Sequence, residues 1–244
     1  MNGREAQRPM PSVPILYEDN HLLVVEKPVN MPTQEDESGD LDLLTLLKQD
    51  LKVRYDKPGN VYLGLVHRLD RPVGGAIVFA KTSKAASRLS DAVRTRSMAK
   101  RYLAVVNGTP AQRTSRLVHH LLKDARTNTV AVVSKSAEGA KEAVLDYTLL
   151  ERHDGLGLVA VELQTGRPHQ IRVQMATIGC PLYGDQKYGT QFSKPGQQIA
   201  LWSCLLGFDH PVTKERLVFR SYPPDVFPWN AWDTGRYVRS LYDE

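Results

Sequence analysis

The sequence predicts an α+β fold, with a mixed, mostly antiparallel sheet as its core and helices flanking that sheet. Strand-like segments outnumber amphipathic helices, and the two kinds do not alternate regularly as they do in a doubly wound parallel sheet. The chain has 244 residues, of which 41% are hydrophobic, and this suits one sizeable core. No apolar stretch reaches about 18 residues, so no membrane-spanning helix is expected.

The first 14 residues are expected to form a disordered lead-in. They contain three prolines and no apolar run of signal-peptide length. Residues 15–244 are therefore expected to form a single domain.

Two strands and a helix are expected at the start of this domain. Residues 15–17 and 22–26 have strand-like patterns on either side of a polar turn. In residues 40–55, leucines recur at helical spacing, which predicts an amphipathic helix capped by Asp40 or Asp42.

The next segment is expected to contain three strands and a second helix. Residues 61–66 have a strand-like pattern, and a proline and two glycines at positions 72–75 predict a turn before the strand 76–80. Residues 83–95 have the apolar spacing of a helix whose first residue, a serine, is its expected cap. Residues 102–106 then form a strand.

The rest of the chain is expected to be largely β with one further helix. A proline at position 168 and a glycine at position 179 mark the start and the end of that helix. The expected strands are residues 128–134, 143–151, 158–164, 199–208 and 216–220.

Positive charge is concentrated in one stretch of the chain. The whole protein carries a formal charge of +5, whereas residues 81–101 contain seven basic residues and one acid, which gives +6. A focused basic patch is typical of proteins that bind a polyanion such as nucleic acid. The competing interpretation is a solvated helix face.

Several kinds of site are disfavoured by the motifs. The histidines show no metal-binding spacing, and His119 and His120 would point to opposite faces of a strand. No phosphate-binding glycine loop or serine nucleophile elbow occurs, so neither a metal nor a cofactor is expected. The two cysteines form no motif and are expected to be buried thiols of a cytoplasmic protein.

Asp70 lies between two arginines in the segment His67-Arg68-Leu69-Asp70-Arg71. Nearby positive charge favours the ionised form of a carboxylate, so such a group suits the role of nucleophile or base better than that of acid. The competing interpretation is a turn residue with local ion pairs.

Two further places carry candidate site residues. Arg167 and Arg172 flank the expected start of a helix, where backbone N–H groups also favour anions, and His169 and Gln170 lie between them. Tyr102 follows the basic stretch and suits either stacking on a base or packing in the core.

Five segments, in order, resemble the motifs of RluA-type RNA pseudouridine synthases. The signature segment is HRLDRPVGG at residues 67–75 with VFAKT at residues 78–82. The others are residues 17–28, 100–108 (KRYLAVVNG), 165–172 (TGRPHQIR) and 181–189. The resemblance covers roughly residues 15–224.

This resemblance implies an enzyme that isomerises uridine to pseudouridine within RNA, with no cofactor. Asp70 would be the essential catalyst, attacking the anomeric carbon or removing a proton from the neighbouring ribose carbon. Arg172 would hold Asp70, and Tyr102 would stack on the target base. Arg68 would help to fill the gap left when the nucleotide flips out of its helix.

The same motifs and the basic stretch supply the expected RNA contacts. Residues of the matched motifs that would bind substrate are His67, Arg68, Arg71, Arg167, His169, Gln170 and Ile171. Residues of the basic helix face that would contact phosphates are Lys84, Arg88, Arg94 and Arg96, and Lys100 of the same stretch would also bind substrate.

The chain departs from the family pattern at three places. The family often has Thr-Ser where Val73-Gly74 stands, and His-Ala where Trp202-Ser203 stands. It also often has His in place of Gln174. Many members carry a small RNA-binding domain in front of the catalytic one, and no such domain is expected here.

Two other function classes remain open from the sequence. One is a catalytically inactive RNA-binding protein of the same fold. The other is a hydrolytic glycosidase, which needs a second acid beside Asp70, and Asp185 is the candidate although it also suits a loop role. Ribosomal and transfer RNA are both possible substrates, and a monomer is the default expectation.

Overall fold

The computed structural model describes residues 12–241, whose centre is one eleven-stranded sheet. The strands are β1 Ile15–Glu18, β2 Leu22–Lys27, β3 Gly64–Leu65, β4 Gly74–Ala80, β5 Ala99–Asn107, β6 Thr114–Asp124, β7 Thr129–Val133, β8 Lys141–His153, β9 Leu156–Leu163, β10 Leu201–Asp209 and β11 Arg216–Arg220. The helices are α1 Leu43–Arg54, α2 Ser83–Arg94, α3 Gln170–Thr177 and α4 Thr234–Ser240, with a 3-10 helix at Trp229–Ala231.

The sheet is mixed but mostly antiparallel, which confirms the expected fold class. Its strands lie in the order β1-β2-β4-β10-β5-β9-β8-β6-β7, with β3 paired to β4 and β11 paired to β10. The β4–β10 pair is parallel, and the other pairs are antiparallel. The centre of the sheet therefore joins residues from distant parts of the chain.

Alternation along β5 shows how the sheet divides the core. Tyr102, Ala104 and Val106 face one apolar cluster, to which α1 and α3 contribute. Leu103 and Val105 face another cluster on the opposite side, closed by the C-terminal segment. The cavity described below opens on the Tyr102 face.

Several expected element ends are wrong by a few residues for local reasons. The cap of α2 is Thr82 and not Ser83, because the Thr82 side chain accepts a hydrogen bond from the Ala85 N–H at 3.1 Å. The cap of α1 is Asp42, which accepts from the Thr45 N–H at 3.0 Å.

The start of α3 also differs from the expectation. Pro168 lies before this helix and not in its first turn, since His169 takes a left-handed conformation with φ of 51°. Of the strand expected at residues 61–66, only Gly64–Leu65 pairs, with β4.

Gly74 lies directly opposite Trp202 in the parallel β4–β10 pair. A Cβ atom on Gly74 would come within 2.2 Å of the Trp202 ring. The indole is buried, and its Nε1 donates a hydrogen bond to Ser221 Oγ at 2.9 Å. Gly74 and Trp202 therefore fit each other: the small residue makes room for the large one.

The chain becomes part of the fold slightly before residue 15. Val13 packs against the core, and the Pro14 carbonyl accepts a hydrogen bond from the Glu26 N–H at 2.9 Å. The first eleven residues of the expected lead-in lie outside the described residues. None of the helices between residues 12 and 241 is long and apolar enough to cross a membrane.

Candidate active site

Asp70 lies in the turn between β3 and β4, and the backbone on both sides of it is fixed. The Asp70 carbonyl accepts from the Val73 N–H at 2.9 Å, which closes the turn. On the preceding residue, Thr33 Oγ1 donates to the Leu69 carbonyl at 2.8 Å and accepts from the Leu69 N–H at 3.3 Å. These bonds fix the backbone at Asp70 and so restrict where its side chain can lie.

Lys27 fixes the backbone on the other side of Asp70. It is fully buried, and its ammonium donates to the carbonyls of Pro28, Met31 and Arg71 at 3.0, 2.6 and 3.0 Å. Burial lowers the pKa of Lys27 to about 7, although the negative charge of Asp70 acts in the opposite direction. Three carbonyl acceptors use all three ammonium protons, so this geometry fits the charged form.

The guanidinium of Arg172 joins Asp70 to a second carboxylate. Its Nε and Nη2 each lie 2.8 Å from an oxygen of Asp185, and its Nη1 lies 3.5 Å from Asp70 Oδ2. The Asp185 side chain is fully buried, whereas that of Asp70 is 27% exposed. Asp185 therefore orients the guanidinium, and Asp70 keeps an open side towards the cavity.

Tyr188 packs against the same guanidinium. The Arg172 Cζ lies 5.1 Å from the centre of the Tyr188 ring. The Tyr188 hydroxyl accepts from the Val130 N–H at 2.8 Å and is hydrogen-bonded to His169 Nδ1 at 2.7 Å. Burial lowers the pKa of His169, while the charge of Asp70 acts against that shift. The β6–β7 hairpin is thereby tied to the site.

Tyr102 reaches the cavity from the centre of the sheet and is only 5% exposed. Burial, together with the negative charge of Asp70, raises the pKa of the Tyr102 hydroxyl. The ring is therefore neutral at physiological pH and offers a flat apolar surface beside the carboxylate.

These groups line a cavity of about 800 Å³. Its basic lining residues are Arg68, Arg71, Lys100, Lys123, Arg167, Arg172 and Lys187. One part of the wall is different, because Glu35 and Asp36 of the loop before α1 also line it. The cavity thus has room for a nucleotide and a strongly charged lining.

Comparison with known proteins identifies the family. A family model described as RNA pseudouridylate synthase matches residues 21–177. The chain belongs to this family. It is an isomerase of the RluA type that converts uridine in RNA to pseudouridine.

Similar proteins agree with this assignment, and a solved structure shares the fold. The chain is 34% identical over 231 residues to the ribosomal large subunit pseudouridine synthase D of Pseudomonas aeruginosa, covering 88% of this chain and 69% of that protein. It is 34% identical over 214 residues to a Bacillus subtilis protein described as an uncharacterized RNA pseudouridine synthase, covering 86% and 69%. The solved structure of human RNA pseudouridylate synthase domain containing 1 shares the fold, with a TM-score of 0.74, 24% identity and 96% of both chains covered.

The arginines beside Asp70 in sequence do not contact it in the synthase. Arg71 turns away and forms ion pairs with Asp40 and, at 3.8 Å, with Asp36. Arg68 is exposed at the cavity wall. The guanidinium close to Asp70 belongs to Arg172, which is 102 positions away along the chain.

The remaining motif residues line the cavity, but the protein itself uses some of their polar atoms. His67 Nε2 accepts from the Val78 N–H at 3.2 Å, and burial lowers the pKa of His67 to about 3. Gln170 is buried and hydrogen-bonded to Thr165, to Val144 and to the Arg167 N–H. Ile171 is buried in the core cluster beside the cavity. His67 and Gln170 therefore hold the walls in shape.

The basic residues of α2 do not line the cavity. Arg88 donates to the Pro211 carbonyl at 2.5 Å, and Lys84 lies one turn away on the same flank. Arg94 pairs with Asp91 at 3.1 Å at the exposed surface, and Arg96 follows the helix end. Of this helix, Val93 lines the cavity, and Arg94 and Arg96 are the basic residues closest to Val93 in sequence.

Sequence reasoning assigned no role to five groups of the site. Lys27, Lys187 and Tyr188 lie within matched motifs, and Thr33 lies outside them. Lys123 was missed because it reaches the cavity only through the β6–β7 hairpin. Within residues 12–241, no group of three or more His, Cys, Asp or Glu side chains is placed to hold a metal ion.

Proposed function

We propose that this synthase modifies uridines in structured ribosomal or transfer RNA, with Asp70 as the catalyst and the target base flipped into the cavity. The observation that carries this proposal is the half-open carboxylate of Asp70, 3.5 Å from Arg172 and beside the neutral ring of Tyr102. Two similar proteins, from Pseudomonas aeruginosa and Vibrio cholerae, are named ribosomal large subunit pseudouridine synthases, which makes that RNA the first to test.

The reaction breaks the bond from ribose carbon 1′ to base nitrogen 1 and forms a bond from the same carbon to base carbon 5. The proton on carbon 5 leaves, and nitrogen 1 gains one, so the change is an isomerisation. Asp70 acts in its ionised form, either by attack on carbon 1′ or by removal of the proton on carbon 2′. Arg172 orients the carboxylate for either role.

The target base can enter the cavity only after it has left its stacked position in the RNA. Flipping costs a few kcal/mol, which contacts in the cavity must offset. Tyr102 supports the flipped uracil by stacking, and this geometry suits a neutral aromatic ring. The exposed Arg68 at the cavity wall fills the space that the nucleotide vacates.

RNA approaches along the basic part of the cavity mouth. Lys123, Arg167 and Lys187 lie there, whereas Glu35 and Asp36 repel phosphates from the other side. Arg94 and Arg96 extend the positive surface beyond the mouth. Contacts to phosphates add affinity but no sequence information, so binding weakens steeply with salt.

The proposed enzyme is a single catalytic domain over residues 15–244 that acts in the cytoplasm as a monomer without metal or cofactor. Its two cysteines are buried and unpaired, as is common in proteins of a reducing compartment. The glycosidase alternative receives no support, because Asp185 is fully buried and engaged with Arg172.

Two measurements test the proposal. Pseudouridines are mapped in ribosomal and transfer RNA from cells with and without the gene, and at least one site should disappear without it. Asp70→Asn should then abolish tritium release from carbon-5-labelled uridine in that RNA, with the Tm unchanged. Asp209→Asn, which removes an exposed carboxylate outside the cavity, is the matched control. Near-normal release by Asp70→Asn would contradict the catalytic role.

A further inference from the structure

Lys100 carries a charge that the described protein does not neutralise. The residue is 7% exposed and lines the cavity from β5. Among residues 12–241, its ammonium has no hydrogen-bond acceptor and no carboxylate partner, whereas the neighbouring Arg101 pairs with Glu162 at 3.2 Å. Burial lowers the pKa of Lys100, and no carboxylate opposes that shift.

A buried ammonium without a partner destabilises a folded protein. Such a group is typical of a binding site that gains its counter-ion only when the ligand arrives. The ligand of Lys100 is therefore expected to carry a negative charge.

The sheet places this charge beside the proposed base site. Lys100 and Tyr102 lie two residues apart on one strand, so they point to the same face and are separated by about 7 Å. The ammonium lies next to Gly166, since a Cβ atom on that glycine would be 3.5 Å from it. Gly166 is exposed at the cavity wall, so an RNA backbone can reach this point.

Two parts of a uridine nucleotide can supply the negative charge. A phosphodiester is charged before, during and after the reaction, and so it compensates the ammonium in every bound state. The uracil ring is neutral until its bond to ribose breaks, and it would leave the charge unbalanced in the initial complex. A buried ammonium that needs a counter-charge in every bound state is matched best by the permanent charge of the phosphodiester.

We propose that Lys100, beside the Gly166 turn, binds a phosphodiester that flanks the flipped uridine. This inference rests on the proposed function, because it assumes that the uridine enters the cavity and stacks on Tyr102. Lys100 then acts in substrate binding, because its ammonium is a point charge that recognises phosphate well.

Lys100→Met gives the first test, because it removes the charge and keeps the length of the side chain. Removing an unpaired buried charge should leave the Tm unchanged or raise it, whereas a lysine with a structural role would lower it on substitution. Binding of a short oligoadenylate with one central uridine should weaken by about ten- to a hundredfold. Lys52→Met, an exposed lysine of α1 outside the cavity, controls for the loss of one positive charge.

The second test uses the same RNA with one neutral methylphosphonate on the 5′ or the 3′ side of the uridine. With the methylphosphonate at one of these positions, wild type and Lys100→Met should bind the RNA with equal affinity, because the phosphate charge that Lys100 contacts has been removed. The proposal is wrong if wild type and Lys100→Met still differ in affinity by the full amount for both methylphosphonate RNAs. It is also wrong if Lys100→Met binds the unmodified RNA as tightly as wild type does. Normal binding with a slowed reaction would place the ammonium at the base and would also overturn it.

All dissociation constants are measured in the Asp70→Asn background, where turnover is not required. A synthase that forms no pseudouridine but shows the methylphosphonate effect would refute the proposed function and retain the phosphate site. A synthase that forms pseudouridine without that effect would refute the phosphate site alone.

Discussion

Replacing Asp185 by Asn separates the support of Arg172 from the chemistry at Asp70. The substitution keeps the size of the side chain and removes its negative charge. Arg172, whose side chain is 8% exposed, then loses a partner with two hydrogen bonds of 2.8 Å and retains Asp70, at 3.5 Å, as its carboxylate partner. The guanidinium becomes a nearly unpaired buried charge.

The expected loss of stability follows from this burial. Removing one partner of a buried ion pair costs about 3–5 kcal/mol in the free energy of unfolding. Asn keeps one acceptor oxygen, so we expect the lower end, about 3 kcal/mol. In a chain of this size, each kcal/mol shifts the Tm by about 2–4 °C, so the Tm should fall by about 6–12 °C.

The effect should depend on pH in a definite direction. Burial raises the pKa of Asp185, but the hydrogen bonds and charge of Arg172 and two backbone N–H groups outweigh it and lower the pKa below its usual value. A depressed carboxyl pKa stabilises the fold above the unfolded value of about 3.9, and this contribution is lost as the pH falls through the folded pKa. The Tm difference between wild type and Asp185→Asn should therefore narrow in acid.

Asp146→Asn is the matched control for the thermal measurement. Asp146 also binds an arginine through two hydrogen bonds, to Arg116 at 2.7 and 2.9 Å, but this pair lies at the surface. Exposed pairs contribute about 0–1 kcal/mol. If Asp185→Asn lost no more stability than Asp146→Asn, burial of the Arg172 pair would not have the energetic role inferred here.

Two further predictions concern packing and RNA affinity. Gly74→Ser should destabilise the fold by about 3 kcal/mol, because the serine side chain would collide with Trp202. Adding Trp202→His should restore much of the lost Tm. A Gly74→Ser variant as stable as wild type would contradict the steric argument. Arg94→Glu with Arg96→Glu should weaken RNA binding. It should also reduce the slope of log affinity against log salt by about 0.7–0.9 for each phosphate that the variant no longer neutralises. Lys52→Glu with Lys57→Glu, the same charge change at the end of α1, should have a smaller effect, and equal effects would argue against a local interaction with RNA.

Periodicity and turn residues were sufficient to predict the mixed sheet and the helices α1, α2 and α3. They located the ends of elements less well, because competing caps such as Thr82 and Ser83 differ only in which hydroxyl reaches the free N–H groups. The strand β6 and the helix α4 were not predicted as separate elements, and the fold class was correct without them.

The site shows where local reasoning stops. The role of Arg71 depends on Asp36 and Asp40, acids of a distant loop that captures its guanidinium. The hydrogen bonds of Lys27 and Thr33 to the Asp70 turn span 44 and 36 positions, so no local pattern reveals them. The motif resemblance named Asp70, Tyr102 and Arg172 together, and the structure brings them to one cavity.

The fit between Gly74 and Trp202 constrains the order in which this pair could have arisen. In a chain with serine at position 74, a tryptophan at position 202 would meet the serine side chain at overlapping distance. An early change to glycine leaves only an underfilled site, which a later tryptophan can occupy. From a serine at position 74, a path that keeps each intermediate folded therefore introduces the glycine before the tryptophan. A segment 67–75 that carries serine at position 74 would be tolerated in this chain only if position 202 were changed with it.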